Sequence, residues 1–352
     1  MGRFYIWGYV SLWYFIVVDN LKIFQEVGII TGVTIIILAS ILVLGRLGWL
    51  KIIPFRINLM IDKINSTYET KQYLESLKIV EKIIKLDPKF KSAWSIKGTL
   101  LSELKKPEEA RRCFEKVIEI DENYFLAWHN KGIVSTDLGR FVEAIKCFDK
   151  ALEINIKYKS TWYGKGLALN KLGKPEDAIM CYDKALEIDD KHKKSWVNRG
   201  SSLNELDRLK EAIKCFDKAL EIDEKMHIAW VNKGVTLNKL GKPEEAIYCL
   251  DKALEIDSNH KEVWRNKGTA LVELGRLEEA IKYFNNALEI DSDYNLAIYN
   301  KACLESLRNN KNESIKLLKK VIEHDESFKE PANLESAFDN IRESDEFKDL
   351  IR

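Results

Sequence analysis

The chain has 352 residues, of which 46% are hydrophobic and 32% are charged, so it is long enough for more than one ordinary domain and too apolar to be disordered. Its formal net charge is +1. The first 56 residues hold five basic and two acidic side chains, which leaves 51 basic and 53 acidic side chains for the remainder and excludes the surplus of Lys and Arg that nucleic-acid binding requires.

Residues 1–56 are predicted to form a membrane anchor. Residues 27–45 are 19 residues without a charge, and a helix of that length spans roughly 28 Å, close to the hydrocarbon thickness of a bilayer. Residues 4–18 are also uncharged and contain five Trp and Tyr residues, so they either form a second span or lie at the membrane interface. A cleaved signal peptide is disfavoured because the aromatic stretch lacks a small-residue cleavage site.

The flanking charges predict the orientation of this anchor. Arg46, Lys51 and Arg56 follow the 27–45 segment, whereas Lys22 precedes it together with Asp19 and Glu26. By the positive-inside tendency, everything after residue 46 is expected in the cytoplasm, whether the anchor crosses the membrane once or twice.

After the anchor, the sequence repeats itself every 34 residues. The first sign is a column of tryptophans at this spacing: Trp94, Trp128, Trp162, Trp196, Trp230 and Trp264. Four residues after each lies a glycine: Gly98, Gly132, Gly166, Gly200, Gly234 and Gly268. A glycine inside a helix costs about 1 kcal/mol relative to alanine, so six of them predict close approach between helices. A fixed period of this length indicates a repeat architecture.

Each repeat is predicted to be two helices joined by a short turn. If each unit starts three residues before its tryptophan, position 20 is alanine, position 24 is aromatic or Leu250, and position 27 is mostly alanine, which places these residues on one helical face. Between the halves, glycines such as Gly173 suit a left-handed helix end, and prolines such as Pro175 suit the first turn of the next helix.

This pattern resembles the tetratricopeptide repeat family, whose 34-residue motif carries a large aromatic at position 4, a small residue at 8, Ala at 20, an aromatic at 24 and Ala at 27. The resemblance implies an all-α fold, a right-handed α-solenoid of stacked helix-turn-helix units. We place eight units between residues 57 and 328, starting at residues 57, 91, 125, 159, 193, 227, 261 and 295, of which the first and last are degenerate. Residues 329–352 are predicted to form a C-terminal capping helix, with Phe338 and Ile341 covering the end of the stack.

The sequence favours no catalytic, metal or cofactor site. Five cysteines recur at position 23, beside the packed face, where they are interpreted as small apolar fillers. No histidines are paired at i and i+4, and the Gly-Lys pairs at Gly173 and Gly241 are followed by proline, unlike a phosphate-binding loop. We therefore predict no cofactor, no metal and no enzymatic activity.

The functional prediction therefore rests on a surface of the repeats. In the family that the chain resembles, the first helices line a concave groove. Here that face is predicted to carry asparagines at positions 6 and 12, together with apolar residues such as Tyr163 at position 5. The candidate partner-binding residues are Asn130, Tyr163, Asn170, Asn198, Asn204, Asn232, Asn238, Asn266 and Asn300. Because a side-chain amide both donates and accepts hydrogen bonds, such a ladder is suited to the backbone of an extended peptide. A merely solvated polar face would show the same pattern.

The leading hypothesis is a membrane-anchored scaffold that binds a protein or peptide partner on the cytoplasmic side. The alternative is an accessory subunit of a membrane enzyme or of an assembly or secretion complex. A helical-repeat RNA binder is less favoured, and no nucleic-acid partner is expected, because the net charge after the anchor is negative.

Overall fold

The computed structural model describes residues 56–352. The predicted membrane segments, 4–18 and 27–45, lie outside these residues. Between 56 and 352, no helix is long and apolar enough to cross a bilayer. The chain divides into two compact units, one up to Ile120 and one from Asp121 onward.

The described part of the first unit is four helices. They are α1 (residues 56–69), α2 (Tyr73–Leu86), α3 (Lys91–Glu103) and α4 (Pro107–Ile120). Buried aliphatic side chains such as Ile64, Val80 and Ile83 form the core of α1 and α2. Ser76 stands at position 20, where the six full repeats have alanine, and its hydroxyl lies 2.7 Å from the Thr67 hydroxyl. This buried pair satisfies two polar groups inside the first, degenerate repeat.

The second unit holds six helical hairpins and a short C-terminal segment. The hairpin helices are α5 (Phe125–Asp137), α6 (Phe141–Ile154), α7 (Lys159–Lys171), α8 (Pro175–Ile188), α9 (Lys193–Glu205), α10 (Leu209–Ile222), α11 (His227–Lys239), α12 (Pro243–Ile256), α13 (Lys261–Glu273), α14 (Leu277–Ile290), α15 (Asn295–Leu307) and α16 (Lys311–His324). Each second helix contacts the first helix of the next hairpin, and successive first helices also contact one another. The predicted all-α solenoid of helix-turn-helix repeats is therefore confirmed.

Each hairpin turns on a residue in the left-handed conformation. Gly173, two residues after α7, has φ of +72°. Its N–H donates to the Asn170 carbonyl at 2.9 Å, which closes the helix end. Two residues later, Pro175 begins α8 in its first turn. Asp207 and Lys105 take the same left-handed conformation without being glycine.

The helical glycines make room for the aromatic ring of position 24. A Cβ atom on Gly200 would lie 2.6 Å from Phe216 Cε1, a distance at which the buried ring would have to move. The same holds for Gly132 against Phe148. Each ring therefore sits directly on the backbone of its partner helix, which fixes the two helices of a hairpin at close range.

The tryptophan column holds the turn between repeats. In every full repeat, the indole N–H donates to the backbone carbonyl six residues earlier, as Trp196 does to Asp190 at 2.8 Å. In the first unit, Trp94 bonds the Pro88 carbonyl in the same way at 2.9 Å. Position 32, the accepting residue, is a proline only at Pro88. The indole hydrogen bond therefore ties this turn whether or not a proline stiffens it.

The C-terminal segment differs from the single capping helix that we expected. It contains α17 (Lys329–Leu334), a 3₁₀ turn at Ser336–Phe338 and α18 (Asp345–Ile351), with Ser344 as N-cap of α18. Phe338 and Phe347 are both buried against the last hairpin. Nine residues are two and a half helical turns, so one continuous helix would put these two rings on opposite faces. The broken helix lets both cover the end of the stack.

This segment takes the place of a ninth first helix. Asn340 lies 34 residues after Ser306, the repeat interval itself. The Asn340 side-chain N–H donates to the Ser306 carbonyl at 2.6 Å, and the Ser306 hydroxyl donates to Asn340 Oδ1. The cap thus continues the contacts of the repeats without offering a further apolar face.

Candidate binding face

The candidate binding residues lie on one face of the second unit. We call it the first-helix face and define it by positions 2, 5, 6, 9, 12 and 13 of the six first helices α5, α7, α9, α11, α13 and α15. All nine predicted residues belong to it, and each is partly exposed. Because successive first helices contact one another, their side chains meet across neighbouring repeats. The asparagines differ in what they bond, and this difference decides what the face can offer.

Three asparagines at position 6 use their N–H groups to join neighbouring helices. Asn198 Nδ2 donates to Tyr163 Oη at 3.0 Å and to the Lys194 carbonyl at 3.0 Å. Asn232 Nδ2 donates to the Ser201 hydroxyl at 3.2 Å. The third case, Asn300, follows the same rule in the last hairpin, where Nδ2 donates to the Thr269 hydroxyl at 3.0 Å. In each case the acceptor is a side chain of the preceding first helix.

The orientation of these amides follows from the hydroxyls that accept from them. The Ser201 hydroxyl donates its own hydrogen to the Val197 carbonyl at 3.1 Å. The Thr269 hydroxyl likewise donates to the Arg265 carbonyl at 3.2 Å. A hydroxyl has only one hydrogen to donate, so both hydroxyls must act as acceptors towards asparagine. The side-chain carbonyl oxygens of Asn232 and Asn300 therefore accept no hydrogen bond from the described residues and remain for a ligand.

The rest of the position-6 column is irregular. Asn266 is reversed, because its Oδ1 accepts from Arg265 Nη2 at 2.6 Å and its N–H group stays available. Asn130 makes no hydrogen bond with the described residues. At Gly164 the column is interrupted, and a Cβ there would lie 2.8 Å from Phe148 Cζ. The ring of the preceding repeat fills the space that an asparagine would need.

At position 12 the asparagines face the next repeat instead. Both amide atoms of Asn170 contact Ser202, with Nδ2 2.8 Å and Oδ1 3.0 Å from the hydroxyl. The Oδ1 atoms of Asn204 and Asn238 are buried without a partner. In the case of Asn238, the facing position 10 is Ala270, which has no polar side-chain atom. We assign position 12 to the joints between repeats, and position 6 to the open part of the face.

The first-helix face also holds apolar residues that the sequence analysis did not single out. At positions 2 and 9, Ile133, Ile228 and Leu296 are 41%, 46% and 44% exposed. Leu167 and Val235 occupy the same columns and are partly exposed. The 34-residue period would have found them, since each lies at a fixed offset from a tryptophan. They give the face apolar anchor points between the asparagine carbonyls.

Electrostatically, the face has no dominant sign. Position 13 alternates in charge along the second unit, through Asp137, Lys171, Glu205, Lys239 and Glu273. The bases at position 7 are neutralised from the preceding second helix: Lys165 lies 2.6 Å from Asp149, and Arg199 lies 2.6 Å from Asp183. A ligand is therefore not selected by net charge, which agrees with the absence of a basic stripe in the sequence.

Several buried titratable groups of the repeats are held in uncharged forms. Burial lowers the pKa of His129 to about 4, and its Nδ1 lies 2.9 Å from the Thr161 hydroxyl. Burial also raises the pKa of Tyr163, partly opposed by the hydrogen bond from Asn198. The thiols of Cys181 and Cys249 are buried, and their pKa values rise to about 11. These groups are packed as neutral side chains. In the described part of the chain, no cluster of three His, Cys, Asp or Glu residues could hold a metal.

Family models agree with this architecture. Three models described as tetratricopeptide repeat match residues 92–124, 125–158, 160–192, 194–226 and 225–293. Together the matches span more than half of the chain. The chain therefore belongs to the tetratricopeptide repeat family. No curated protein matches the sequence.

Among solved structures, similar chains are also repeat proteins. A tetratricopeptide repeat protein from Parabacteroides merdae is 16% identical, with 76% of this chain and 99% of that chain covered and a TM-score of 0.56. The APC/C hetero-tetramer Cut9-Hcn1 is 17% identical over 84% of this chain and 55% of that chain, with a TM-score of 0.57. YrrB, described as a repeat protein with an unusual peptide-binding site, is 27% identical over 52% and 95%, with a TM-score of 0.45. The first two likenesses show the fold.

Proposed function

We propose that this protein is a non-catalytic, membrane-anchored scaffold that binds an extended segment of a partner protein on its first-helix face. The observation that carries the proposal is the direction of the position-6 amides. Asn198, Asn232 and Asn300 each donate an amide N–H to a side chain of the preceding first helix, and their Oδ1 atoms accept no hydrogen bond from the described residues. A ligand for such a row must supply hydrogen-bond donors, and a polypeptide backbone supplies one N–H at every residue other than proline.

The spacing of the face suits an extended chain. Adjacent packed helices are about 10 Å apart. Three extended residues cover about the same distance. An extended segment would therefore advance about three residues from one first helix to the next, and would meet the Asn198 and Asn232 carbonyls about three residues apart, independent of its side chains. Ile133 and Ile228 lie beside this path and would add apolar contacts, which favour partners with aliphatic or aromatic side chains.

Non-catalytic behaviour is supported by the state of the reactive side chains. The thiols of Cys181 and Cys249 have pKa values of about 11, far from the thiolate form that a nucleophile requires. His129 is buried among Phe148 and Tyr158. These groups serve the packing of the repeats and leave the surface to binding.

Membrane anchoring belongs to the same proposal and rests on the sequence of residues 27–45. The basic residues that follow this segment favour the cytoplasmic side for the repeats. In the native host, the protein should stay in the membrane pellet after alkaline carbonate extraction, and protease added outside the cell should leave the repeats intact. Release by carbonate, or digestion from outside, would refute the anchor or its orientation.

Site-specific photo-crosslinking tests the binding face. A benzophenone amino acid is placed at Ile133 or Ile228 in the full chain, and at Val142 or Met180 on the second helices as matched controls, which are 57% and 66% exposed. The proposal predicts that discrete protein adducts form from the first pair and are weak or absent from the second. Adducts only from the control positions would contradict it. If the crosslinked partner is consistently one membrane enzyme, the scaffold would be identified as an accessory subunit of that enzyme.

A further inference from the structure

One repeat departs from the others on its second helix, away from the first-helix face. In the five repeats before it, positions 23, 25 and 26 are cysteine, an acid and lysine, as in Cys215, Asp217 and Lys218. In α14 the same positions are Tyr283, Asn285 and Asn286. These three differences from the other repeats fall within four residues, and together they alter one surface of an otherwise regular array.

These changes remove two ion pairs that the other repeats keep. Lys218 pairs with Glu221 at 2.6 Å along its helix, whereas Asn286 has no charge to offer Glu289. Asp217 pairs with Lys233 of the next repeat at 2.6 Å. The corresponding base in the repeat after α14 is Lys301. It faces Asn285, which occupies position 25, and makes no ion pair with the described residues.

In their place the repeat gains an aromatic surface. The rings of Trp264 and Tyr283 stack with centroids 5.7 Å apart and planes inclined by 26°. The Lys267 ammonium lies 4.3 Å from the centre of the Tyr283 ring and pairs with Asp251, which holds the tyrosine in place. The aromatic pair is thus fixed before any ligand arrives.

An open concavity of about 590 Å³ surrounds this pair. Its lining residues are Trp264, Glu279, Lys282, Tyr283, Asn285, Asn286 and Glu289. Glu279 is held by Arg276 at 2.6 Å. Within the described chain, Lys282, Asn285, Asn286 and Glu289 make no hydrogen bond or ion pair. The concavity therefore combines a fixed aromatic platform with three side chains that have free donors and one free carboxylate.

We propose that this concavity is a second docking site, which takes a proline-rich segment of a partner protein that carries a basic residue. The backbone of α14 is hydrogen-bonded within the helix, so the surface cannot extend a sheet with an incoming β-strand. An extended ligand must instead offer its carbonyls to side chains. A polyproline II segment has carbonyls that are free of internal hydrogen bonds, and its rings pack on aromatic side chains.

The lining matches the parts of such a ligand. Lys282, Asn285 and Asn286 can donate to its carbonyls, and Trp264 with Tyr283 receives a proline ring. Glu289 is the partner for a Lys or Arg of the segment, since position 26 of its helix is Asn286 and Glu289 makes no ion pair with the described residues. Apart from Trp264, the residues that line this site lie on the second helix α14, so one scaffold can hold two different segments at once.

The test compares the natural chain with a variant that has, at these positions, the residues found in the protein's other repeats. The variant Tyr283→Cys, Asn285→Asp, Asn286→Lys restores the side chains of the other repeats, and so is expected to fold with unchanged or raised melting temperature. Binding to the full chain in detergent micelles is measured by fluorescence polarisation with a labelled peptide of Pro-Pro-Leu-Pro repeats ending in Arg. The comparison peptide has each proline replaced by alanine.

We expect the proline peptide to bind the natural chain in the micromolar range, and the triple variant to weaken binding at least about tenfold. Ile228→Lys, on the first-helix face, should leave this binding unchanged. The site is refuted if the natural chain does not bind the peptide, if the triple variant binds as well, or if the alanine peptide binds as well. Loss of binding only in Ile228→Lys would assign the peptide to the first-helix face instead.

Discussion

At the residue scale, the fold depends on individual residues that each make one specific contact. Asn232 joins two helices with its N–H group and leaves its carbonyl outward. The Trp196 indole ties a turn, and Gly200 yields its side-chain space to Phe216. Since each role depends on one defined contact, the effect of a substitution at this scale can be stated in sign and size.

Lys105 takes a left-handed conformation, with φ of +58°, at the turn where Gly173 serves in another repeat. An L-residue in this conformation is strained by roughly 1 to 2 kcal/mol, which glycine avoids. Lys105→Gly is therefore expected to raise the free energy of unfolding by about 1 kcal/mol, measured by urea unfolding. Lys105→Ala keeps the strain and should give no gain. An equal gain from both would show that the lysine side chain, and not its backbone, is unfavourable.

His129 gives the protein a specific sensitivity to acid. Its pKa falls from 6.5 in the unfolded chain to about 4 in the folded one. Below pH 6.5 the unfolded state binds a proton that the folded state does not, so stability decreases as the pH falls towards 4. The loss at pH 4 is about 3 kcal/mol at 1.36 kcal/mol per pKa unit.

His129→Gln keeps a hydrogen-bond acceptor near Thr161 and removes the titration. Urea unfolding at pH 7, 6, 5 and 4 should show a smaller decrease in stability for this variant than for the natural chain. Parallel pH profiles would mean that carboxylates or the other histidines cause the acid sensitivity.

At the element scale, the hairpins are joined by turns of nearly constant geometry. The residue before position 32 is extended in both units, with φ and ψ of −140° and 93° at Asp87 and −147° and 98° at Asp189. The same turn therefore accepts Pro88 in one repeat and Asp190 in another. In both repeats, the indole N–H donates to the carbonyl of the residue at position 32, which is Pro88 in one and Asp190 in the other.

Asp190→Pro should consequently stabilise the protein. The extended backbone of Asp189 is the conformation that a following proline requires, and the carbonyl that Trp196 bonds is retained. By restricting the unfolded chain, the substitution is expected to add about 0.5 kcal/mol to the free energy of unfolding. Asp190→Ala is the control without this restriction. A lower melting temperature for the proline variant would show that the two turns differ.

The sequence predicts these elements well, because each column repeats one packing contact. The spacing of Trp196, Gly200 and Phe216 is sufficient to locate the two helices and the turn of a repeat. It is not sufficient for the direction of the Asn232 amide, which depends on a serine hydroxyl one repeat earlier. The concavity at Tyr283 is not encoded by the repeat columns, because Tyr283 departs from the cysteine of position 23. The C-terminal segment was expected as one helix, but it is broken so that Phe338 and Phe347 are both buried, which periodicity does not encode.

At the scale of the whole molecule, stacked repeats are stabilised by their neighbours, so the ends need protection. Phe338 is fully buried in the cap and packs 5.9 Å from the rings of both Tyr299 and Phe347. Phe338→Ala should cost about 3 to 5 kcal/mol. In hydrogen-exchange mass spectrometry, α15 and α16 should exchange faster while α7 to α10 change little. Leu334→Ala, at a residue that is 76% exposed, should change neither region. Uniform destabilisation of every hairpin would instead indicate one cooperative unit.

The central claim is that a partner protein is held on the first-helix face, and proximity labelling in the native host tests it most directly. The labelling enzyme is fused after Arg352 in three chains: the natural sequence, a double variant Ile133→Lys with Ile228→Lys, and a matched double variant Val142→Lys with Met180→Lys. We predict that a small set of labelled proteins disappears only in the first double variant, with all three chains folded and equally abundant. An identical set in all three, or the same loss in both variants, would contradict binding on the first-helix face.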